Sequence, residues 1–184
     1  MIRSRSILVP LVVAVALVAI ALGVKSYFAG SGGVAGGGGG GPAMLAGTPA
    51  QSYEVAALGG GRGSLSEHRG DVVLLNLWAT WCTPCRSETP ALERLYRQER
   101  ARGLVVLGVD QGESAKTVAA FARDMRLTYP ILVDQAQRYG GSYAAIGLPT
   151  TIIVGRDGKI VRGIDGELTL AQMHEAVDPL LRVR

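Results

Sequence analysis

Cysteine and histidine are scarce in this 184-residue chain: the cysteines are Cys82 and Cys85, the histidines His68 and His174. Two cysteines are too few for a disulfide scaffold, and without outside ligands they are too few for a tetrahedral structural zinc site. Redox chemistry, a labile metal, or no chemistry at all remains open to them. His68 falls in an expected loop and His174 on an amphipathic helix, so each reads as a surface or packing side chain and not as a ligand. An excess of one charge is also lacking: past residue 28 there are 16 basic and 15 acidic residues. The sequence pI of 9.3 is mostly an N-terminal property, and the remainder has no electrostatic footprint for nucleic acid. No internal repeat is present.

What the chain has in quantity is unevenly placed. Residues 7–24 carry no charge, and only Pro10 and Gly23 among them are not Ala, Val, Ile or Leu. As a helix this run would span about 27 Å, close to a bilayer's hydrocarbon core. It exceeds the usual apolar core of a signal peptide, although Ala19-Ile20-Ala21 offers a cleavage-like alternative. Residues 1–28 are therefore expected to form an uncleaved membrane anchor. Arg3 and Arg5 before the run place its N-terminus in the cytoplasm and the following chain on the outer side. Nine of residues 30–41 are glycine, so 29–50 is expected to be a flexible tether with a reach of roughly 25 Å. Residues 51–184 are long enough for one independent core.

Within that domain the periodicity alternates. Residues 72–79 are apolar apart from Asn76 and read as a buried strand; 84–102 read as a helix closed by Gly103. A strand is expected at 104–109, a helix at 114–125 capped by Ser114, and a short strand at 131–133. Strands at 151–154 and 160–164 flank the turn signal Arg156-Asp157-Gly158-Lys159. Thr169 and Gln172 form a capping box for a last helix, which Pro179 should kink or stop. This order describes an α/β sheet covered on both faces.

The Trp81-Cys82-Thr83-Pro84-Cys85 segment sits where a strand passes into a helix. Free N–H groups and the helix dipole there favour a thiolate at Cys82, and Arg86 adds a positive charge. Two intervening residues bring Cys85 within disulfide range, so it can displace a partner from Cys82. Pro84 suits a first-turn position, where no N–H is required. Trp78 and Trp81 are packing residues by size, with Trp81 also shaping the site. Glu88, three residues past Cys85, is either a functional acid on the same helical face or a first-turns acid that complements the dipole or pairs with Arg94.

The stretch VVLLNLWATWCTPCRSETP (72–90) resembles the active-site strand and helix of thioredoxin-fold proteins, above all the membrane-anchored extracytoplasmic TlpA, ResA and CcmG/DsbE branch of the redoxins. The likeness extends over 52–184. It includes Gly147-Leu148-Pro149-Thr150-Thr151, where such proteins carry a cis-proline facing the CxxC, and the 104–133 segment, which is similar to that branch's strand–helix insertion. Asn76 stands where thioredoxin has a buried aspartate, and Glu88 matches the branch's CRxExP glutamate. The resemblance implies a thiol:disulfide oxidoreductase acting as a reductant outside the cytoplasm. Cys82 would attack, Cys85 resolve, and Glu88 relay a proton; Trp81, Thr83, Pro84, Leu148, Pro149 and Thr150 would meet the client, Pro149 and Thr150 through their backbone. It further implies protein disulfide clients such as apocytochrome c, a membrane electron donor of the DsbD or CcdA type, and no organic cofactor or metal beyond the cysteine couple. A Sco-type copper module would show CxxxC with a distant histidine, and a thiol peroxidase a Thr-x-x-Cys. A non-enzymatic interaction domain remains if the cysteines stay oxidised.

Overall fold

The computed structural model describes residues 42–182. The expected anchor and residues 29–41 of the tether lie outside the described residues; among those described, no helix is long and apolar enough to cross a membrane. Seven strands run β1 (Val55–Ala57), β2 (Arg62–Gly63), β3 (Val72–Trp78), β4 (Leu104–Gln111), β5 (Ile131–Asp134), β6 (Thr150–Val154) and β7 (Ile160–Asp165). The α-helices among the described residues are α1 (Thr83–Glu99), α2 (Ala115–Asp124), α3 (Arg138–Ser142) and α4 (Leu170–Arg182). They build one mixed sheet of order β2-β1-β5-β4-β3-β6-β7. The β3–β4 and β4–β5 pairs are parallel, the others antiparallel. This is a thioredoxin-like α/β fold.

β3 is buried along its whole length, as befits a central strand with both faces covered. Its alternate residues divide the core. Val72, Leu74 and Trp78 join Leu92 and Leu95 of α1, Val118 and Phe121 of α2, and Met173, Val177 and Leu181 of α4. Val73, Leu75 and Leu77 face Leu107, Val109, Tyr139, Tyr143 and Ile152 on the opposite side. Burying each such large side chain contributes about 1.5–3 kcal/mol. Asn76 is the polar exception, and it points to the α1 face.

The local signals act as expected at several ends. Ser114 accepts from the Thr117 amide, a left-handed Gly103 follows the last turn after α1, and Thr169 and Gln172 exchange hydrogen bonds. Three expectations need correction. Pro179 does not stop α4, which continues to Arg182; the missing amide bond falls near the helix end, where buried Val177 and Leu181 hold the last turn to the core. Residues 42–50, assigned to the tether by composition, form a 3-10 turn (Pro42–Leu45) and then run along β7. The Gly47 amide donates to the Ile160 carbonyl, the Ile160 amide to Thr48, and the Ala50 amide to Gly158. Buried Pro42 sits so close over Gly163 that a Cβ there would come within 2.6 Å of it. Finally β1, β2 and α3 are additional: the strands are two or three residues long, and α3 contains two glycines, so none has a periodic signal.

Candidate active site

β3 ends at Trp78, and the chain passes through Ala79, Thr80 and Trp81 to Cys82, the N-cap of α1. The Cys82 sulfur accepts from the Cys85 amide at 3.3 Å, so a helix-terminal N–H is aimed at the attacking atom. The two cysteines form a disulfide, their Cα atoms 5.3 Å apart. Both are buried, whereas Trp81 is 69% exposed. Thr83 and Pro84 are exposed at the helix tip.

Glu88, three residues past Cys85 on α1, is 1% exposed. One of its carboxylate oxygens accepts from Asn76 Nδ2 at 2.7 Å and the other from the Leu168 amide at 3.0 Å. Asn76 also donates to Thr151 Oγ1. Burial pushes the Glu88 carboxyl up to about 7, against the opposing effect of those two hydrogen bonds. Its partners are thus β3 and the loop before α4, not Arg94. A carboxyl that exchanges its proton near neutrality is suited to general acid–base work.

The Leu148–Pro149 peptide is cis. Pairing of Leu77 with Thr150 sets Pro149 level with the end of β3. Leu148 packs on the apolar cluster that contains both cysteines, and with Trp81, Gln111, Gln137, Ile146 and Gly147 it lines an open groove. Part of the backbone that Pro149 and Thr150 were expected to offer is engaged within the fold. The Pro149 carbonyl accepts from the Gly166 amide, and Thr150 is wholly buried between β3 and β7, its hydroxyl bonded to Gly147 and Asp165. Leu148 is half-buried, and Ile146 and Gly147 before it are exposed.

A second acidic group was not singled out from sequence. Glu113, in the β4–α2 loop, accepts from both the amide and the hydroxyl of Thr80. Asp110, wholly buried at the end of β4, accepts from the Glu113 amide. Burial, reinforced by the Glu113 side chain and the charge of Asp134 and opposed by the bond from the Glu113 amide, pushes the Asp110 carboxyl well above the usual carboxylate range. In the sequence Glu113 is marked only by its place just before the N-cap serine Ser114. One cluster of described residues has metal-ligand chemistry, Glu99, His174 and Asp178, but Glu99 is paired with Arg102 and the imidazole already lies between Gln98 and Asp178.

A cysteine pair at a helix N-terminus, a buried acid below it and a cis-proline loop beside it, all on this sheet, define a thioredoxin-like thiol–disulfide oxidoreductase. The chain belongs to the AhpC/TSA family, whose sequence pattern matches residues 46–162. It is 33% identical over 132 residues to the thiol-disulfide oxidoreductase ResA of Bacillus thuringiensis, a match spanning 72% of this chain and 76% of that protein. Its fold is similar to that of a putative thiol:disulfide interchange protein DsbE from Chlorobium tepidum, with TM-score 0.70 and 23% identity over 74% of this chain and 97% of that one. A secreted thiol-disulfide isomerase from Corynebacterium glutamicum superimposes with TM-score 0.66 and 27% identity, covering 72% and 84% of the two chains.

Proposed function

We propose that the protein is a reductant of protein disulfides, held to the outer side of the cytoplasmic membrane by residues 1–28. The observation that carries the oxidoreductase reading is the Cys82–Cys85 pair at the helix N-terminus, with Glu88 buried three residues on and held by Asn76 and Leu168; the reductive direction is the one that the resemblance implies. The Cys82 thiolate attacks one sulfur of a client disulfide, forming a mixed disulfide and releasing a client thiolate. Cys85 then gives its proton to the Glu88 carboxylate, directly or through one water, and attacks the Cys82 sulfur. The Cys82–Cys85 disulfide forms, the second client thiolate leaves, and two electrons have passed to the client. The couple carries these electrons itself, and a membrane donor of the DsbD or CcdA type restores the dithiol. Apocytochrome c is the client class that the sequence resemblance implies. The apolar run at 7–24 and the secreted Corynebacterium relative support the outer location.

The test pairs two measurements on the full chain. The reduced protein should accelerate insulin-disulfide reduction, and the protein should remain with membranes after carbonate extraction while accessible to external protease. Failure to reduce insulin disulfides would remove the enzymatic part; recovery of a soluble species starting near Leu22 would remove the anchor.

A further inference from the structure

Thr80 lies two residues before the attacking sulfur and has three groups to satisfy, an amide, a hydroxyl and a carbonyl. All three are taken by side chains. Its amide and hydroxyl donate to the two oxygens of Glu113 at 2.5 and 2.6 Å, and its carbonyl accepts from Arg86 Nη1 at 3.1 Å. Both captors are fixed in turn. The Glu113 amide is held by the buried Asp110 at 3.1 Å, and the chain after Glu113 enters α2 at once through the Ser114 cap. Before it, Gly112 turns in the left-handed region at φ +90°, where a Cβ would sit 2.6 Å from the Gln137 side chain; only glycine admits this turn without strain. The Arg86 guanidinium stacks 5.2 Å over Phe121 of α2. The β4–α2 segment therefore holds the Thr80 peptide from both ends, by a carboxylate and through a stacked arginine. Paired bonds from one carboxylate constrain direction as well as distance.

We propose that Glu113 is a positioning residue for Cys82: it holds the 79–82 loop so that the sulfur faces a polypeptide disulfide seated against the Leu148 loop. Attack on a disulfide requires approach along the S–S axis. A docked polypeptide cannot shift to follow a displaced sulfur, whereas a small reagent can. Loss of the clamp should thus be felt selectively by large clients. The inference rests on the attacking role of Cys82 given above.

The experiment compares reduced wild-type protein with Glu113→Ala, Glu113→Gln and Thr80→Val in two reactions, reduction of insulin disulfides and alkylation by iodoacetamide. Misplacement on the ångström scale costs up to about 100-fold in a positioned reaction. Glu113→Ala should slow insulin reduction by about 10- to 100-fold and change alkylation by less than about 3-fold. Glu113→Gln, with one acceptor oxygen left, should fall between Glu113→Ala and wild type, and Thr80→Val should lose little further in the Glu113→Ala background. Should Glu113→Ala fail to fold, the Gln and Val variants carry the same comparison. An insulin rate within 2-fold of wild type would overturn the proposal, as would equal slowing of both reactions, which would mean altered thiol reactivity and not altered placement. A wild type that does not reduce insulin would instead overturn the functional reading.

Discussion

The two ends of the cysteine motif are served by carboxylates of opposite character. On the attacking side Glu113 is half-buried, reaches Thr80 from another strand's loop, and receives two donors from a single residue. On the resolving side Glu88 is part of α1 itself, is buried, and receives one donor from each of two separate elements. The first arrangement fixes a loop. The second keeps an acid poised near its titration point, because burial outweighs two hydrogen bonds. Similar chemistry thus serves to hold a loop or, in the proposed reaction, to carry a proton, according to how far water is excluded and how many donors compensate.

The sharpest way to break this comparison is at the sulfurs. Cys82→Ser should abolish attack and trap almost no client, whereas Cys85→Ser should retain attack and accumulate mixed disulfides, read on non-reducing gels. Greater alkylation of Cys85 than of Cys82 in the reduced protein would exchange the two roles. A smaller effect is expected at the proton carrier. Glu88→Gln keeps the shape and one acceptor oxygen but removes the base, so resolution should slow by roughly 10², with attack little changed. In stopped-flow measurements between pH 5 and 9, the wild-type resolution rate should rise through about pH 7, and the Gln variant should lack that inflection.

A thermodynamic effect accompanies the kinetic one. The Glu88 carboxyl titrates near 7 when folded against 4.5 when unfolded. Between these values the native state binds more protons, so stability is highest below pH 4.5 for this group and is lost as pH rises through 7. The loss is about 3 kcal/mol at most. Asp110, whose carboxyl is also raised by burial, acts with the same sign. Urea unfolding of the oxidised protein should show Glu88→Gln losing less stability than wild type from pH 5 to 8; an equal loss would assign the dependence to other groups.

Much of the resolving side was legible in the sequence, because Cys82, Cys85 and Glu88 share one helix and helical spacing alone relates them. The end of α1 and the starts of α2 and α4 were legible for a similar reason: caps are decided within four residues. The attacking side was not. Glu113 and Thr80 are 33 positions apart, and their meeting depends on the parallel register that sets Trp78 beside Asp110. Pro149 was identifiable from its motif, but the inward turn of Thr150 follows from pairing with both β3 and β7, which no local pattern shows. Residues 42–50 misled because a glycine-rich neighbourhood masks the few contacts of Pro42 and Leu45.

Those residues have a practical meaning for the sheet. β7 is its outermost strand on that side, and a bare outer strand offers unpaired amides and carbonyls as a template to any second chain. By bonding to Ile160 and Gly158 and bridging Lys159 through Pro49, the segment from Pro42 to Ala50 works as a hem over part of that strand. Trimming the protein at residue 51, where composition would place the domain boundary, would unpick the hem and leave an edge open to intermolecular strand addition; a trim that keeps Pro42 leaves it closed.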